Sequence, residues 1–152
     1  MSDPPTTDRL PGMRILHVED QDLNRRLVRA ILERAADPRL RATIVDEAPD
    51  LHTARSSLAA HLPDVVLLDV RLPDGNGLDF LRELRSEHSS PRVVVMSASV
   101  LASERDDAIR AGCDAFVGKP YTATELTDML TTMLFSDDVL ARPPSAGGRS
   151  PA

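Results

Sequence analysis

Residues 63–77 read Pro-Asp-Val-Val-Leu-Leu-Asp-Val-Arg-Leu-Pro-Asp-Gly-Asn-Gly, an apolar run that leads Asp69 into a turn rich in proline and glycine. Residues 65–68 are apolar on both faces, which predicts a short strand buried beneath helices on either side of a sheet. Asp69 then lies at the carboxyl end of that strand, and this edge of an open parallel sheet is where ligands usually bind. The alternative is a simple turn aspartate, and the rest of the chain decides between the two.

Length and composition predict one ordinary globular domain, because the chain has 152 residues, of which 41% are hydrophobic and 28% charged. We expect it to occupy residues 13–135, between a disordered lead-in at residues 1–12 and a flexible tail at residues 136–152. The net charge of -6 disfavours a nucleic-acid surface, and no apolar span is long enough for a bilayer. We therefore expect a cytoplasmic protein that binds neither nucleic acid nor membrane. Cys113 is the only cysteine, which excludes an intrachain disulfide.

Short apolar segments alternate with amphipathic segments along the chain. Strands are predicted at residues 13–18, 42–45, 64–68, 92–96 and 115–118, and helices at residues 22–35, 51–62, 77–87, 100–111 and 123–135. Asp50 is the expected N-cap of the second helix, Gly112 the C-cap of the fourth, and Thr122 with Glu125 a capping box for the fifth. The alternation predicts an α/β protein with a five-stranded parallel sheet covered by five helices on its two faces.

Polar residues end four of the predicted strands, namely Glu19 with Asp20, Asp69, Ser97 and Lys119. Because the carboxyl ends of parallel strands meet at one edge, we expect these side chains to form a single site. Three carboxylates placed close together repel one another unless cations lie between them. Lys119 is one such cation, and it is the only lysine among 18 cationic residues.

A divalent metal is the other expected cation, and oxygen donors without sulfur or nitrogen ligands favour Mg²⁺ over zinc. A carboxylate nucleophile, a metal, a lysine and a hydroxyl together suit phosphoryl transfer. In this interpretation Asp69 attacks phosphorus, and Mg²⁺ held by Asp20, Asp69 and the backbone carbonyl of Arg71 binds one phosphoryl oxygen. Lys119 binds a second oxygen and the Ser97 hydroxyl binds a third.

Between Met13 and about Leu134 the chain resembles the receiver domain of bacterial two-component response regulators. The residues that carry the resemblance stand in the family's order and spacing: Glu19-Asp20, Asp69 with Pro73 and Gly77 after it, Ser97-Ala98, Phe116 and Lys119-Pro120. The resemblance implies a flavodoxin-like, doubly wound sheet with strand order 2-1-3-4-5. It also implies that a histidine kinase or a histidine phosphotransfer protein donates a phosphoryl group to Asp69.

In similar proteins the residues at the positions of Ser97 and Phe116 couple phosphorylation to movement, although ordinary core packing is the alternative for Phe116. Glu19 replaces the more common aspartate, and we expect its longer side chain to reach the metal through water. Arg71 lies two residues after Asp69, and we expect it to shield the phosphoryl group from water. A solvated turn arginine is the alternative interpretation of Arg71.

The resemblance implies a signalling protein rather than an enzyme, and we expect a stand-alone, CheY-like receiver because little chain follows Phe135. The resemblance implies no particular kinase or downstream target, and a monomer and a homodimer are both consistent with the sequence. Charged residues of the expected partner face, Glu104, Arg105, Asp106, Asp107 and Arg110, are predicted to be a solvated surface.

Three other classes of protein fit the sequence less well. A small Mg²⁺-dependent phosphatase of the haloacid-dehalogenase type needs Asp-x-Asp after the first strand, where this chain has Glu19-Asp20-Gln21. A flavin-binding electron carrier needs stacking aromatic residues, yet the aromatic content is 3%. A receiver-like adaptor that never accepts phosphate is the remaining alternative, and the presence of every acid and of Lys119 disfavours it.

Overall fold

The structure is a computed structural model that describes residues 13–87, 91–99 and 101–135. Within these ranges the elements are β1 (Arg14–Val18), α1 (Asp22–Glu33), α2 (Pro38–Arg41), β2 (Ile44–Ala48), α3 (Leu51–Ala60), β3 (Val65–Asp69), β4 (Arg71–Leu72), β5 (Gly75–Asn76), α4 (Gly77–Arg85), β6 (Arg92–Ser97), α5 (Ala102–Ala111), β7 (Ala115–Gly118) and α6 (Ala123–Phe135). The predicted lead-in at residues 1–12 and tail at residues 136–152 lie outside the described residues. None of the described helices is long and apolar enough to span a membrane.

Five strands form one parallel sheet in the order β2-β1-β3-β6-β7. The two short strands β4 and β5 pair only with each other, as an antiparallel hairpin. Strands β6 and β7 are therefore the fourth and fifth strands of the main sheet, which confirms the predicted order 2-1-3-4-5 and the flavodoxin-like fold.

The central strand β3 is buried on both faces, as its sequence predicts. Val66 and Leu68 belong to the apolar core on the side of α3, α4 and α5. Val65 and Leu67 belong to the second core, on the side of α1, α2 and α6. All four side chains are inaccessible to solvent, so the strand is clamped between two layers of helices and delivers Asp69 to a fixed position at its end.

The segment between α1 and β2 differs from the prediction. Helix α1 ends at Glu33, before Pro38, as the sequence predicts. The short helix α2 that begins at Pro38 was not predicted, and it forms because the Asp37 side chain accepts a hydrogen bond from the Arg39 N–H at 2.8 Å and proline suits the first turn. The structure therefore has six helices instead of five in the described residues. Strand β2 begins at Ile44 rather than at residue 42, since α2 occupies the chain before it. The predicted helix start at Val100 lies outside the described residues, and α5 begins at Ala102.

The predicted helix caps are confirmed. Asp50 accepts a hydrogen bond from the Thr53 N–H at 2.7 Å, at the start of α3. Thr122 and Glu125 exchange the two bonds of a capping box before α6, at 2.8 Å and 3.0 Å. Gly112 ends α5 in the left-handed region, with φ of 105°. These caps fix where each connection starts and ends.

The turn after Asp69 folds back on itself. The Gly77 N–H donates to the Val70 carbonyl at 2.7 Å, and a Cβ at position 77 would lie 2.1 Å from the Asp69 carbonyl oxygen. Asp74, in the loop of the β4-β5 hairpin, accepts a hydrogen bond at 2.8 Å from the Leu51 N–H at the start of α3. The hairpin is therefore attached at both sides of the turn, and only glycine fits at position 77.

Candidate functional site

The carboxylates predicted to meet at the sheet edge do so. Glu19 and Asp20 follow β1, and Asp69 ends β3, which pairs directly with β1. One carboxylate oxygen from each of the three residues lies within 4.8 Å of the others. Glu19 is 1% exposed, Asp69 is half-buried and Asp20 is exposed. The edge therefore carries a cluster of three carboxylates whose exposure increases from Glu19 through Asp69 to Asp20, so the cluster is open to solvent on one side.

Lys119 lies beside these acids. Its ammonium nitrogen is 2.6 Å from Glu19 Oε1 and 3.7 Å from Asp69 Oδ2, and 17% of its side chain is exposed. Its backbone N–H donates to the Ser97 carbonyl at 2.8 Å, which fixes the start of the side chain next to β6. The lone lysine of the chain is thus placed where the sequence predicts, and it pairs more closely with Glu19 than with Asp69.

Glu19 is held as a charged group in spite of its burial. Burial raises its pKa, but hydrogen bonds from Lys119 and from the Gln21 N–H oppose this, and the pKa lies below its usual value. Arg25 of α1 donates to the Glu19 carbonyl oxygen at 2.7 Å and fixes the backbone. Glu19 is therefore anchored on both its side chain and its main chain.

Asp69 behaves in the opposite way. Burial raises its pKa, the Lys119 ammonium lowers it, and the Glu19 carboxylate raises it again. Hydrogen bonds from the backbone N–H groups of Arg71 and Val70 lower the pKa, yet it stays above its usual value. The charged form of such a carboxylate, desolvated and repelled by a neighbour, is stabilised by any added positive charge at the site.

The three acids offer oxygen donors only, and this donor set fits Mg²⁺ better than zinc, which prefers nitrogen and sulfur. The exposed side of Asp20 leaves room for water molecules, which Mg²⁺ usually retains. Glu19, Asp20 and Asp69 can therefore hold this ion. The backbone carbonyl of Arg71, the other predicted ligand, remains a prediction.

Ser97 ends β6 at the same edge, and it is 3% exposed. Its hydroxyl donates to Glu104 Oε1 on α5 and accepts a hydrogen bond from the Ser99 N–H at 3.0 Å. The other oxygen of Glu104 lies 3.8 Å from the guanidinium of Arg71. Ser97 is therefore at the predicted edge, but its hydroxyl already donates a hydrogen bond to the carboxylate of Glu104.

Glu104 is the residue that the sequence analysis missed. It was predicted to belong to a solvated face, whereas only 15% of its side chain is exposed and it contacts two site residues. A signal for this contact exists in the sequence. Glu104 lies four and seven residues before Ala108 and Ala111, the buried residues of α5, and this spacing places it on the helix face that packs on the sheet.

Phe116 on β7 is half-buried and packs against the core beneath α5. It pairs in register with Val95, two residues before Ser97. The guanidinium carbon of Arg105 lies 5.7 Å from the centre of its ring. The ring is thus partly covered by a neighbouring helix, and its predicted part in a switch stays a prediction.

His17 lies on β1 beneath the site and is 2% exposed. Burial lowers its pKa to about 4, so the imidazole is neutral at physiological pH. Its Nδ1 atom has no hydrogen-bond partner among the described residues. His17 is therefore a buried residue of the sheet with one ring nitrogen unpaired within the described part of the chain.

Comparison with known sequences identifies relatives among transcriptional regulatory proteins. The chain is 37% identical over 120 residues to the KDP operon transcriptional regulatory protein KdpE of Escherichia coli, a match that covers 79% of this chain and 50% of the relative. It is 31% identical over 129 residues to the virulence transcriptional regulatory protein PhoP of Shigella flexneri, covering 85% and 55%. The chain thus spans about half the length of these curated relatives.

Solved structures agree with this result. A receiver domain of a sensor histidine kinase from Pseudomonas aeruginosa, with a magnesium ion coordinated in its active-site cleft, matches with a TM-score of 0.69 and 27% identity, over 80% of this chain and 97% of that one. A response regulator from Chloroflexus aurantiacus matches with a TM-score of 0.72, over 80% and 97%, and its 21% identity supports the fold alone. The family model of the response regulator receiver domain matches residues 15–131. The chain therefore belongs to the response regulator receiver domain family.

Proposed function

We propose that Asp69 accepts a phosphoryl group from the phosphohistidine of a histidine kinase or a histidine phosphotransfer protein, and that phosphorylation changes the protein's contacts. One observation carries the proposal. Three carboxylates, two that follow β1 and one that ends β3, meet the only lysine of the chain at one sheet edge, with Lys119 Nζ 3.7 Å from Asp69 Oδ2. Membership of the receiver family supports the same chemistry.

The environment favours Asp69 over its two neighbours as the acceptor. Glu19 is almost fully buried and its carboxylate is held by Lys119 and by the Gln21 N–H. Asp20 is exposed and forms no ion pair with Lys119 among the described residues, whereas Asp69 combines 14% side-chain exposure with the nearby ammonium. Asp69 is therefore accessible to a donor and has a cation beside it.

The transfer is a displacement at phosphorus. A carboxylate oxygen of Asp69 forms the new O–P bond as the N–P bond of the phosphohistidine breaks, and the electron pair of that bond stays on the imidazole nitrogen, which takes a proton from solvent. Negative charge is spread over the phosphoryl oxygens during this step. The Lys119 ammonium stabilises that charge, and the Ser97 hydroxyl donates to the phosphoryl group once it leaves Glu104.

The acidic site fits Mg²⁺, and we assign Asp20, Asp69 and the Arg71 backbone carbonyl as its ligands, with Glu19 acting through water. A bound Mg²⁺ supplies positive charge next to the phosphoryl oxygens. The protein's own contribution is to hold the three acids together. The burial of Glu19 and its bond to Lys119 keep that arrangement in place.

The test is incubation with Mg²⁺ and acetyl phosphate, followed by intact mass spectrometry. We expect the parent and Asp79→Asn to gain one phosphoryl group and Asp69→Asn to gain none. Asp79 is the matched control because it lies on α4, 75% exposed, and pairs only with Arg82 among the contacts described. A parent that gains no phosphoryl group would refute the proposal and support the adaptor alternative, and a phosphorylated Asp69→Asn would place the acceptor elsewhere.

Arg71 controls the lifetime of the phosphorylated form in this proposal. Its side chain is 80% exposed and its guanidinium is 3.8 Å from Glu104, so it is free to cover a phosphoryl group on the neighbouring Asp69. We expect Arg71→Asn to lose phosphate faster than the parent after the donor is removed, measured by intact mass against time. An unchanged rate would show that Arg71 is a solvated turn residue.

A further inference from the structure

The Ser97 hydroxyl has one proton to donate, and in the structure its acceptor is the Glu104 carboxylate. The hydroxyl donates to Glu104 Oε1, while Glu104 Oε2 faces the Arg71 guanidinium at 3.8 Å. In the proposed function, the Ser97 hydroxyl and the Arg71 guanidinium both contact the phosphoryl group on Asp69. Glu104 lies in the first turn of α5, so the contact joins β6, the turn after β3 and that helix.

We propose that Glu104 is a positioning residue that competes with the phosphoryl group for Ser97 and Arg71 and so holds the protein in its unphosphorylated arrangement. This inference rests on the proposed function. A single hydroxyl proton cannot be donated to two acceptors at once, so the Ser97–Glu104 bond must break before Ser97 binds a phosphoryl oxygen. The phosphoryl group is an anion like the carboxylate that it displaces, and the two repel each other.

The burial of the contact makes the competition effective. Ser97 is 3% exposed, so water does not easily replace Glu104 as the partner of its hydroxyl, although 15% of the Glu104 side chain is exposed. A hydrogen bond to a charged acceptor is also stronger than one between neutral groups. Phosphorylation of Asp69 therefore releases the first turn of α5 from β6, and the release is the structural change that follows from these contacts.

Removal of the Glu104 carboxylate should raise the fraction of molecules in which Ser97 is free. The apparent rate of phosphorylation rises with that fraction. For the loss of one hydrogen bond to a charged group we expect Glu104→Ala to accept phosphate about tenfold faster than the parent. Glu104→Gln keeps an oxygen that accepts from Ser97 but loses the charge, so we expect an intermediate rate.

The experiment measures the initial rate of phosphorylation of the full chain by acetyl phosphate in Mg²⁺, by intact mass. The control is Asp107→Asn, which also removes one negative charge from α5. Asp107 suits this purpose because its side chain is 48% exposed and pairs with Arg110. We expect its rate to equal that of the parent. A Glu104→Ala rate equal to that of Asp107→Asn would overturn the inference while leaving the proposed function intact.

A double-mutant cycle separates positioning through Ser97 from a general effect of charge. In a Ser97→Ala background we expect Glu104→Ala to change the rate less than twofold, because the bond to Ser97 is already gone and the 3.8 Å pair with the exposed Arg71 side chain contributes little. An acceleration as large as in the parent background would overturn the inference. If the parent itself gains no phosphoryl group, the proposed function fails and this inference fails with it. Should Glu104→Ala not fold, Glu104→Gln in the same cycle decides, with thermal unfolding of each variant as the check.

Discussion

Gly77→Ala tests whether the position of Asp69 depends on the close approach between α4 and β3. A Cβ at position 77 would lie 2.1 Å from the Asp69 carbonyl oxygen and 3.1 Å from the Asp69 carbonyl carbon and from Val70 Cα. All three contacts are with backbone, so no side chain can rotate away to make room. The substitution therefore has to move β3 and α4 apart.

The size of the effect follows from two opposing contributions. Real Cβ contacts are essentially never under 3.0 Å, so the backbone must separate by about 1 Å, and overpacking of this kind costs about 3 kcal/mol. Alanine is the better helix former by up to about 1 kcal/mol, but Gly77 is the first residue of α4, where less of this gain is realised. We expect a net loss of about 2 kcal/mol in the free energy of unfolding and a fall in Tm of about 6 °C.

Gly118→Ala is the matched control, because no heavy atom lies within 4 Å of a Cβ at position 118. Urea unfolding followed by far-ultraviolet circular dichroism, without Mg²⁺, should place Gly118→Ala within about 0.5 kcal/mol of the parent. Phosphorylation by acetyl phosphate, measured well below the Tm of every variant, should be slower in Gly77→Ala, since Asp69 moves with its own carbonyl. If Gly77→Ala matches Gly118→Ala in stability and the parent in rate, the steric reasoning is wrong.

Three side chains away from the candidate site give further predictions. Arg85→Ala removes three hydrogen bonds that tie α4 to the chain before β6 and after α5, and we expect urea titration to show a loss of about 2 kcal/mol; an unchanged free energy would contradict this. Hydrogen bonds from the Leu51 and His52 N–H groups hold the pKa of Asp74 below its usual value. Their contribution to the stability of the folded protein is therefore complete above the pKa that Asp74 has in the unfolded chain, and it is lost as the pH falls through the pKa of Asp74 in the folded protein. The urea midpoint of Asp74→Asn should therefore fall less between about pH 6 and pH 3 than that of the parent. An equal fall would show that the Asp74 hydrogen bonds to the start of α3 do not stabilise the protein in this way. Burial raises the pKa of Cys113 to about 11, so iodoacetamide at about pH 8 should label the folded protein far more slowly than the urea-unfolded protein, and equal rates would refute this.

The residues at strand ends were predictable because topology alone places them. Once β1, β3, β6 and β7 are recognised as parallel, their carboxyl ends share an edge, and whatever follows each strand is brought there. Asp69 and Lys119 are far apart in sequence, yet they meet at 3.7 Å for this reason. The helix caps were predictable for a second reason, since each depends only on residues within one turn.

The hairpin β4-β5 and the helix α2 could not be predicted in the same way. Each of the two strands has two residues, too few to show a period, and they are stabilised by contacts from elsewhere, such as that of Asp74 with the start of α3. Helix α2 has four residues, and proline is common both at the first position of a helix and shortly after the end of one. In both segments the local pattern is too short to decide between two conformations.

Glu104 shows how a site residue escapes prediction even when its helix is found. The periodicity of α5 places Glu104 on the face that carries Ala108 and Ala111, but a carboxylate at the first turn of a helix is equally explained by the positive end of the helix dipole. What decides is the contact with Ser97, which depends on where α5 lies relative to the end of β6. Strand topology is enough to bring the acids together, whereas the partner of the Ser97 hydroxyl depends on how α5 packs. Under the proposed function, the Ser97–Glu104 hydrogen bond is the contact through which phosphorylation moves a helix.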